Sequence, residues 1–175
     1  QQVKAMVDAC VATFGRIDVF VANAGVEGDI GDIASTDVSN LDRVFAVNVR
    51  GVWLGLHYVI PLMRDQGGGS IIITSSGAGV KGSPNTACYN ASKHAAIGLM
   101  RCAALECGAH NIRVNTVNPG AVETRMITSI EEGFAEAGAP DFRAMVEAVT
   151  PLGRYGQPDE IAKMMVFLGS DDSSY

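Results

Sequence analysis

SIIITSSGAGVKGSPNTACYNASK, residues 70–93, changes its periodicity once. Ser70 to Thr74 is β-branched and apolar, the composition of a strand buried on both faces. Ser75 and Ser76 follow at its C-terminal end, the place where ligands gather in open α/β sheets. From about Ala87 to Cys107 the pattern becomes helical. Tyr89 and Lys93 then lie four apart on one face, roughly 6 Å along the axis. A free tyrosine titrates near ~10 and is a poor acid or base at neutral pH. A fixed ammonium beside it favours the tyrosinate and draws the pKa toward the working range. The same two letters also describe a surface Tyr above a solvated Lys, so the rest of the chain has to decide.

Gly77-x-Gly79-x-x-Gly82 in this stretch matches a dinucleotide fingerprint letter by letter. That fingerprint must open directly into a helix, whereas Ser83-Pro84-Asn85 intervenes. It is expected to be a flexible loop and not a phosphate cradle.

Outward toward the N-terminus, a long helix is expected from about Thr36 or Ser39 to Met63, with Ser39 and Asp42 resembling a capping box. Its apolar stripe runs Leu41, Val44, Phe45, Val49, Val52, Leu56, Val59 and Ile60, and Asn48 falls inside it. A buried amide needs partners or costs on the order of 1–3 kcal/mol, so Asn48 is either a structural or a functional residue. Before this helix, Ile17 to Ala22 predicts a buried strand ending in Asn23-Ala24-Gly25, where small residues let backbone approach a ligand. Val3, Met6, Val7, Cys10, Val11 and Phe14 make one face of a first helix that stops at Gly15.

Outward toward the C-terminus, Ile112 to Asn118 predicts a third strand, ending in Pro119-Gly120 with Val122 and Thr124 beyond. Residues 125–150 fit two short helices with a break at Gly138-Ala139-Pro140, and a final helix spans Asp159 to Leu168. Strands alternating with helices predict a parallel sheet of the α/β class, covered on both sides. Ala91, Ala95, Gly98 and Cys102 form a small-residue stripe on the Tyr89 helix, suited to core packing or to a helical dimer interface.

Composition narrows the partners. A net charge of −6 leaves no basic stripe for nucleic acid, and no apolar run approaches the ~20 residues of a membrane span. The four cysteines show neither Cys-x-x-Cys nor zinc spacing, so small buried thiols in a reducing, cytoplasmic setting and no metal are expected. Gln1 opens the chain inside an amphipathic helix and the last residues stop just past another, which reads as a fragment of a longer protein, with residues 1–175 one partial domain.

Together these motifs resemble the short-chain dehydrogenase/reductase (SDR) family over nearly the whole chain. They are Asn23-Ala24-Gly25, Val47-Asn48-Val49, Ser76, Tyr89-x-x-x-Lys93, Pro119-Gly120-x-Val122-x-Thr124, and Gly153-Arg154 with Pro158-Asp159-Glu160-Ile161-Ala162. The resemblance implies a Rossmann-type, doubly wound domain that binds NAD or NADP. It implies Tyr89 as general acid/base, Lys93 as the group that lowers its pKa and holds the nicotinamide ribose, and Ser76 as donor to the substrate oxygen. Ser76 is preferred to Ser75 because it stands 13 positions before Tyr89, the family's usual spacing. Asn48 would hold a water in a proton relay. Asn23, Ala24 and Gly25 would line the adenosine side, and Pro119, Gly120, Val122 and Thr124 would seat the nicotinamide. Residues 125–158 would form the substrate loop.

The family's glycine-rich N-terminal turn and its first strands are not among these 175 residues. The strand at 17–22 is therefore expected to be an unpaired edge, and the 175 residues alone to be unstable and to bind no dinucleotide. The function implied is interconversion of a secondary alcohol and a ketone. A 3-oxoacyl-acyl-carrier-protein reductase and a non-catalytic dinucleotide-binding protein are the alternatives. Six carboxylates against two arginines in residues 121–150 favour a small neutral alcohol. A homodimer or homotetramer is expected, through the helices at 37–63 and 87–107.

Overall fold

The computed structural model describes all 175 residues. Its centre is a parallel sheet of three strands in the order β1 (Val19–Ala22), β2 (Gly69–Thr74), β3 (Ile112–Val117). Pairing runs Val19 to Ser70 and Ser70 to Arg113. Alternation along the strands sorts the layers. Ile71, Ile73, Ile112 and Val114 point to one face, where they join Val7 of α1 (Gln2–Phe14) and Val52, Leu56, Val59 and Met63 of α3 (Gly51–Asp65). Ala96, Ala103 and Cys107 of α4 (Ala87–Cys107) close that core.

The opposite face carries α7 (Pro158–Gly169). Arg113 on β3 fixes its end: its guanidinium donates to the carbonyls of Leu168, at 2.7 Å, and Ser170, at 3.0 Å. A cation at the C-terminus of a helix satisfies carbonyls that have no intrahelical partner. The fold is thus the expected α/β sheet with helices on both faces. On β1 the side chains of Val19 and Val21 are exposed, at 43% and 40%.

The long helix is continuous from Val38 to Asp65 but not uniform. α2 (Val38–Phe45) passes through one wide π turn, Ala46–Arg50, into α3. Its N-cap is Asp37, whose carboxylate accepts from Ser39 N, and not the Ser39/Asp42 box. Asp37 sits one turn-entry earlier in extended backbone, where a side-chain oxygen can reach the first free N–H groups. These 28 residues are long and apolar enough by length and mean hydropathy to cross a membrane, contrary to the sequence reading. The apolar side of α3 is committed to the sheet, with Val59 and Met63 completely buried, as in a core helix. β1 begins at Val19, two residues later than expected, and α4 spans the expected residues.

Candidate active site

The three strand ends are laced together before any side-chain chemistry begins. Thr74 Oγ1 at the end of β2 donates to Asn23 Oδ1 at the end of β1, at 2.9 Å. Beyond β3 the ladder continues, with Ser75 N donating to Val117 O at 2.9 Å and Gly77 N to Pro119 O at 2.7 Å. Ser76, which caps the short turn Gly77–Gly79, and the Pro119 segment are therefore parts of one continuous edge. The glycine-bearing stretch is this turn followed by loop up to α4, as expected, and not a helix-opening phosphate loop.

The two serines have different uses. Ser75 is buried and its hydroxyl donates to Lys93 O at 2.9 Å. Ser76 is half-buried, accepts from Ala78 N at 3.1 Å, and lies beside Tyr89.

Asn48 lies in the π turn, 1% exposed. Wide turns inside α-helices recur at functional sites because they re-aim a side chain. Here the amide is turned onto the loop after β1, accepting from Val26 N and donating to Val26 O, both at 2.9 Å. Its second N–H donates to Ser92 Oγ at 3.0 Å, and Ser92 in turn donates to Tyr89 O at 2.7 Å. Both amide protons are engaged, so a relay water would take the remaining Oδ1 lone pair or a main-chain carbonyl of the π turn.

Lys93 is 4% exposed and donates to Thr74 O at 2.8 Å. Burial pulls its pKa down to about 8. Its Nζ stands 5.5 Å from the centroid of the Tyr89 ring. The expected lowering of the Tyr89 pKa by Lys93 is not what this structure has. Burial pushes the phenol up, the neighbouring Ser76 hydroxyl acts against that, and the Glu27 carboxylate adds to it. The ammonium faces the ring and the Thr74 carbonyl, and a partly desolvated phenol pays for ionisation first.

Glu27 was not singled out by the sequence. Its side chain is only 12% exposed, with Arg125 of α5 (Arg125–Glu136) 3.4 Å away. Its signal was faint: a lone carboxylate directly after the Asn23-Ala24-Gly25-Val26 turn. Ser92 and Thr74, which orient Tyr89 and Lys93, carried no signal of their own. The segment that follows β3 is also tied down. Gly156 N donates to Ala121 O and Glu123 N to Gly156 O, both at 2.9 Å. Thr124 caps α5, accepting from Ile127 N. Arg154 forks onto Glu160 at 2.7 and 2.8 Å, which explains the Gly153-Arg154…Glu160 motif as a turn fastened to the start of α7.

The site can hold a polyhydroxylated group. Lys93 has three donors and one partner, and a buried ammonium calls for acceptors at the other two. A Cβ built on Gly25 would stand 3.4 Å from Lys93 Nζ and 3.4 Å from Asn48 Oδ1, so the glycine leaves the approach to the ammonium open.

A parallel sheet with helices on both faces, with Ser76, Tyr89 and Lys93 converging at its carboxyl edge, defines a Rossmann-type domain. The enoyl-(acyl carrier protein) reductase family model matches residues 1–175. Levodione reductase of Leifsonia aquatica is 41% identical over 177 residues, covering 99% of this chain and 65% of that protein. A crystal structure of levodione reductase superposes with a TM-score of 0.95 at 40% identity, covering 99% of this chain and 67% of that one. Cyclohexanol dehydrogenase of Acinetobacter sp. (strain SE19) is 37% identical over 175 residues, covering all of this chain and 65% of that protein. NAD+-bound xylitol dehydrogenase superposes with a TM-score of 0.93 at 36% identity, covering 98% and 69%. The chain belongs to the short-chain dehydrogenase/reductase family. It spans about two thirds of the length of these relatives, 65% of each of the two curated ones.

Proposed function

We propose that the protein is an NAD(P)-dependent oxidoreductase that interconverts a secondary alcohol and a ketone. The observation that carries this is the convergence of the buried Lys93 ammonium with a half-buried Tyr89 and Ser76 at the carboxyl edge of the sheet. A bound nicotinamide would supply or accept the hydride. The chain's own residues handle the proton and the position of the oxygen. Tyr89 Oη exchanges the proton with the substrate hydroxyl, and Ser76 donates to the same oxygen as charge develops on it. Lys93 would meet the ribose hydroxyls. Asn23, Ala24 and Gly25 would line the adenosine side, and Pro119, Gly120, Val122 and Thr124 would seat the nicotinamide. Tyr89→Phe in the full-length protein should lower kcat by about a thousandfold while nucleotide still binds. Turnover retained by that variant sinks the assignment.

Small neutral alcohols are the favoured substrates. Glu27 sets a near-buried carboxylate close to Tyr89, and relatives named for cyclic and polyol substrates fit that charge. A relative of Thermotoga maritima named 3-oxoacyl-[acyl-carrier-protein] reductase, 39% identical over 174 residues, supports a second reading, reduction of the ketone of a 3-oxoacyl thioester. Turnover of cyclohexanol set against reduction of an acetoacetyl thioester separates the two.

A homodimer or homotetramer is proposed through α3 and α4. The small-residue stripe of α4 faces outward, with Ala91, Gly98 and Cys102 exposed, next to exposed Trp53 and Leu105. A cleft of about 340 Å³ between the two helices is lined by Trp53, Ile60, Leu99 and Cys102 among others. Of the four free cysteines only Cys107 is buried and Cys102 is exposed, against the expectation of buried thiols. Unpaired thiols suit a reducing compartment, and the cytoplasm is the proposed location.

A further inference from the structure

We propose that Arg143 is a positioning residue that fastens the substrate helix α6 (Phe142–Val149) onto the segment seating the nicotinamide. This rests on the functional reading above. The helix has little else to hold it. None of its side chains is buried, and Met145 and Val149 are exposed. Phe142 stacks on Phe134 of α5 at 4.6 Å between centroids, but that links α6 only to its neighbour. Arg143 links it to the body. Its two terminal nitrogens donate to the two carboxylate oxygens of Glu123 at 2.7 and 2.9 Å, a paired fork. Glu123 stands between Val122 and Thr124, inside the seat.

Two more elements meet at the same guanidinium. Arg143 Nε donates to Glu131 Oε1 of α5 at 3.2 Å. Tyr155, 2% exposed, lies under the guanidinium with its ring centroid 4.3 Å away. The Tyr155 hydroxyl donates to that same Glu131 oxygen at 3.0 Å. Tyr155 also precedes Gly156, whose N–H and carbonyl bracket residues 121–123. Seat, α5, α6 and the turn before α7 are therefore joined through one cation. Glu147 at 3.5 Å makes it one cation among three carboxylates. Without Arg143 those carboxylates repel, and α6 loses its attachment outside α5.

The geometry couples the two halves of the reaction. A substrate wall that swings separately from the seat would have to be ordered each time the alcohol binds, and that ordering is lost affinity. With Arg143 in place, α6 and residues 119–124 stay in one arrangement before either ligand arrives.

The test uses Arg143→Gln, Glu123→Gln and the double variant in the full-length protein. Without nucleotide, Arg143→Gln should speed proteolytic cleavage within residues 137–150 about tenfold, as local opening becomes easier, with Tm unchanged within about 3 °C. The KM for alcohol should rise about tenfold with kcat within about twofold, and the double variant should be no worse than Arg143→Gln, because losing Glu123 then breaks no further contact to Arg143 and relieves the repulsion among the carboxylates. Unchanged cleavage, unchanged KM or additive effects each overturn the proposal. A protein with no nucleotide-dependent turnover overturns the functional reading instead, and the cleavage comparison still decides the role of Arg143.

Discussion

The β2–α4 corner and the α5–α6 pair both border the carboxyl edge of the sheet, yet they are held by opposite means. In the corner, Asn48, Ser75, Ser92 and Lys93 are all buried, and each hydrogen bond joins groups with little access to water. In the α5–α6 pair only Ile127 is buried, and the fastening is ionic and part-exposed, with Arg143 and Glu123 side chains 40% and 36% accessible. Buried polar contacts are costly to break because the orphaned partner stays dry. Ion pairs open to solvent contribute little to stability. The corner proposed to hold proton-transfer geometry is therefore the part that cannot relax, and the proposed substrate side is held more loosely.

The sharpest way to break that contrast is Asn48→Ala. It strands Val26 N–H and C=O and removes the donor to Ser92 Oγ, so it should destabilise by about 3 kcal/mol and drag turnover down with it. Urea unfolding of the full-length variant checks this; a loss comparable to that of an exposed ion pair would erase the distinction. Gly79→Ala comes next. An added Cβ would meet Ser75 Oγ at 2.5 Å and Lys93 O at 2.9 Å, with Ile97 at 3.0 Å. Overpacking of this kind costs about 1–3 kcal/mol, and it would also disturb the Ser75–Lys93 bond, so Tm and kcat should fall together.

Lys93→Met sharpens the contrast by reversing a sign. A Lys whose folded pKa lies near 8 instead of 10.5 destabilises the fold wherever the group is charged. That penalty is present in full below about 8 and disappears as pH rises through 10.5, since the unfolded chain binds the extra proton only in that window. Replacing Lys93 removes it, at the loss of the bond to Thr74 O. The net gain near neutral pH should be on the order of 1 kcal/mol, shrinking toward pH 10, while turnover is abolished. Equal stability curves for the two proteins across that range would show that the ammonium is better solvated than its burial implies.

Much of the corner was legible in the sequence because its signals are local and periodic. Ile71 to Ile73 could only be a buried strand, and the 3.6-residue period placed Tyr89 and Lys93 on one face of α4 with the correct ends. The site's contacts were less legible. Asn48 stood out as an amide in an apolar stripe, but a π turn leaves no mark in residue type, so its aim at Val26 and Ser92 was hidden. The direction of the Tyr89 shift failed because spacing gives proximity and not depth, and depth decides. Arg143 looked like one of two cations among six carboxylates. Only the fold brings Glu123, Glu131 and Tyr155, 20, 12 and 12 positions away, around it.

Glu27 joins the two regions, and its effect should be the smallest and the most specific. It sits on the loop that Asn48 pins, touches Arg125 at the first turn of α5, and raises the Tyr89 pKa. A negative charge near a phenol opposes the phenolate, so Glu27→Gln should move the Tyr89 pKa downward. The groups left around the phenol are then Ser76 and Lys93, which the variant does not touch. In the direction of alcohol oxidation the basic form of Tyr89 takes the proton, so the rising limb of kcat/KM against pH should shift to lower pH. In the direction of ketone reduction the protonated phenol is needed, and the falling limb should shift the same way. Stability should barely change, because the lost contact to Arg125 is long and Arg125 is itself mostly exposed. A pH profile that does not move in either direction would mean that Glu27 is screened from the phenol, and that the α5 side of the site has no electrostatic hold on the catalytic corner.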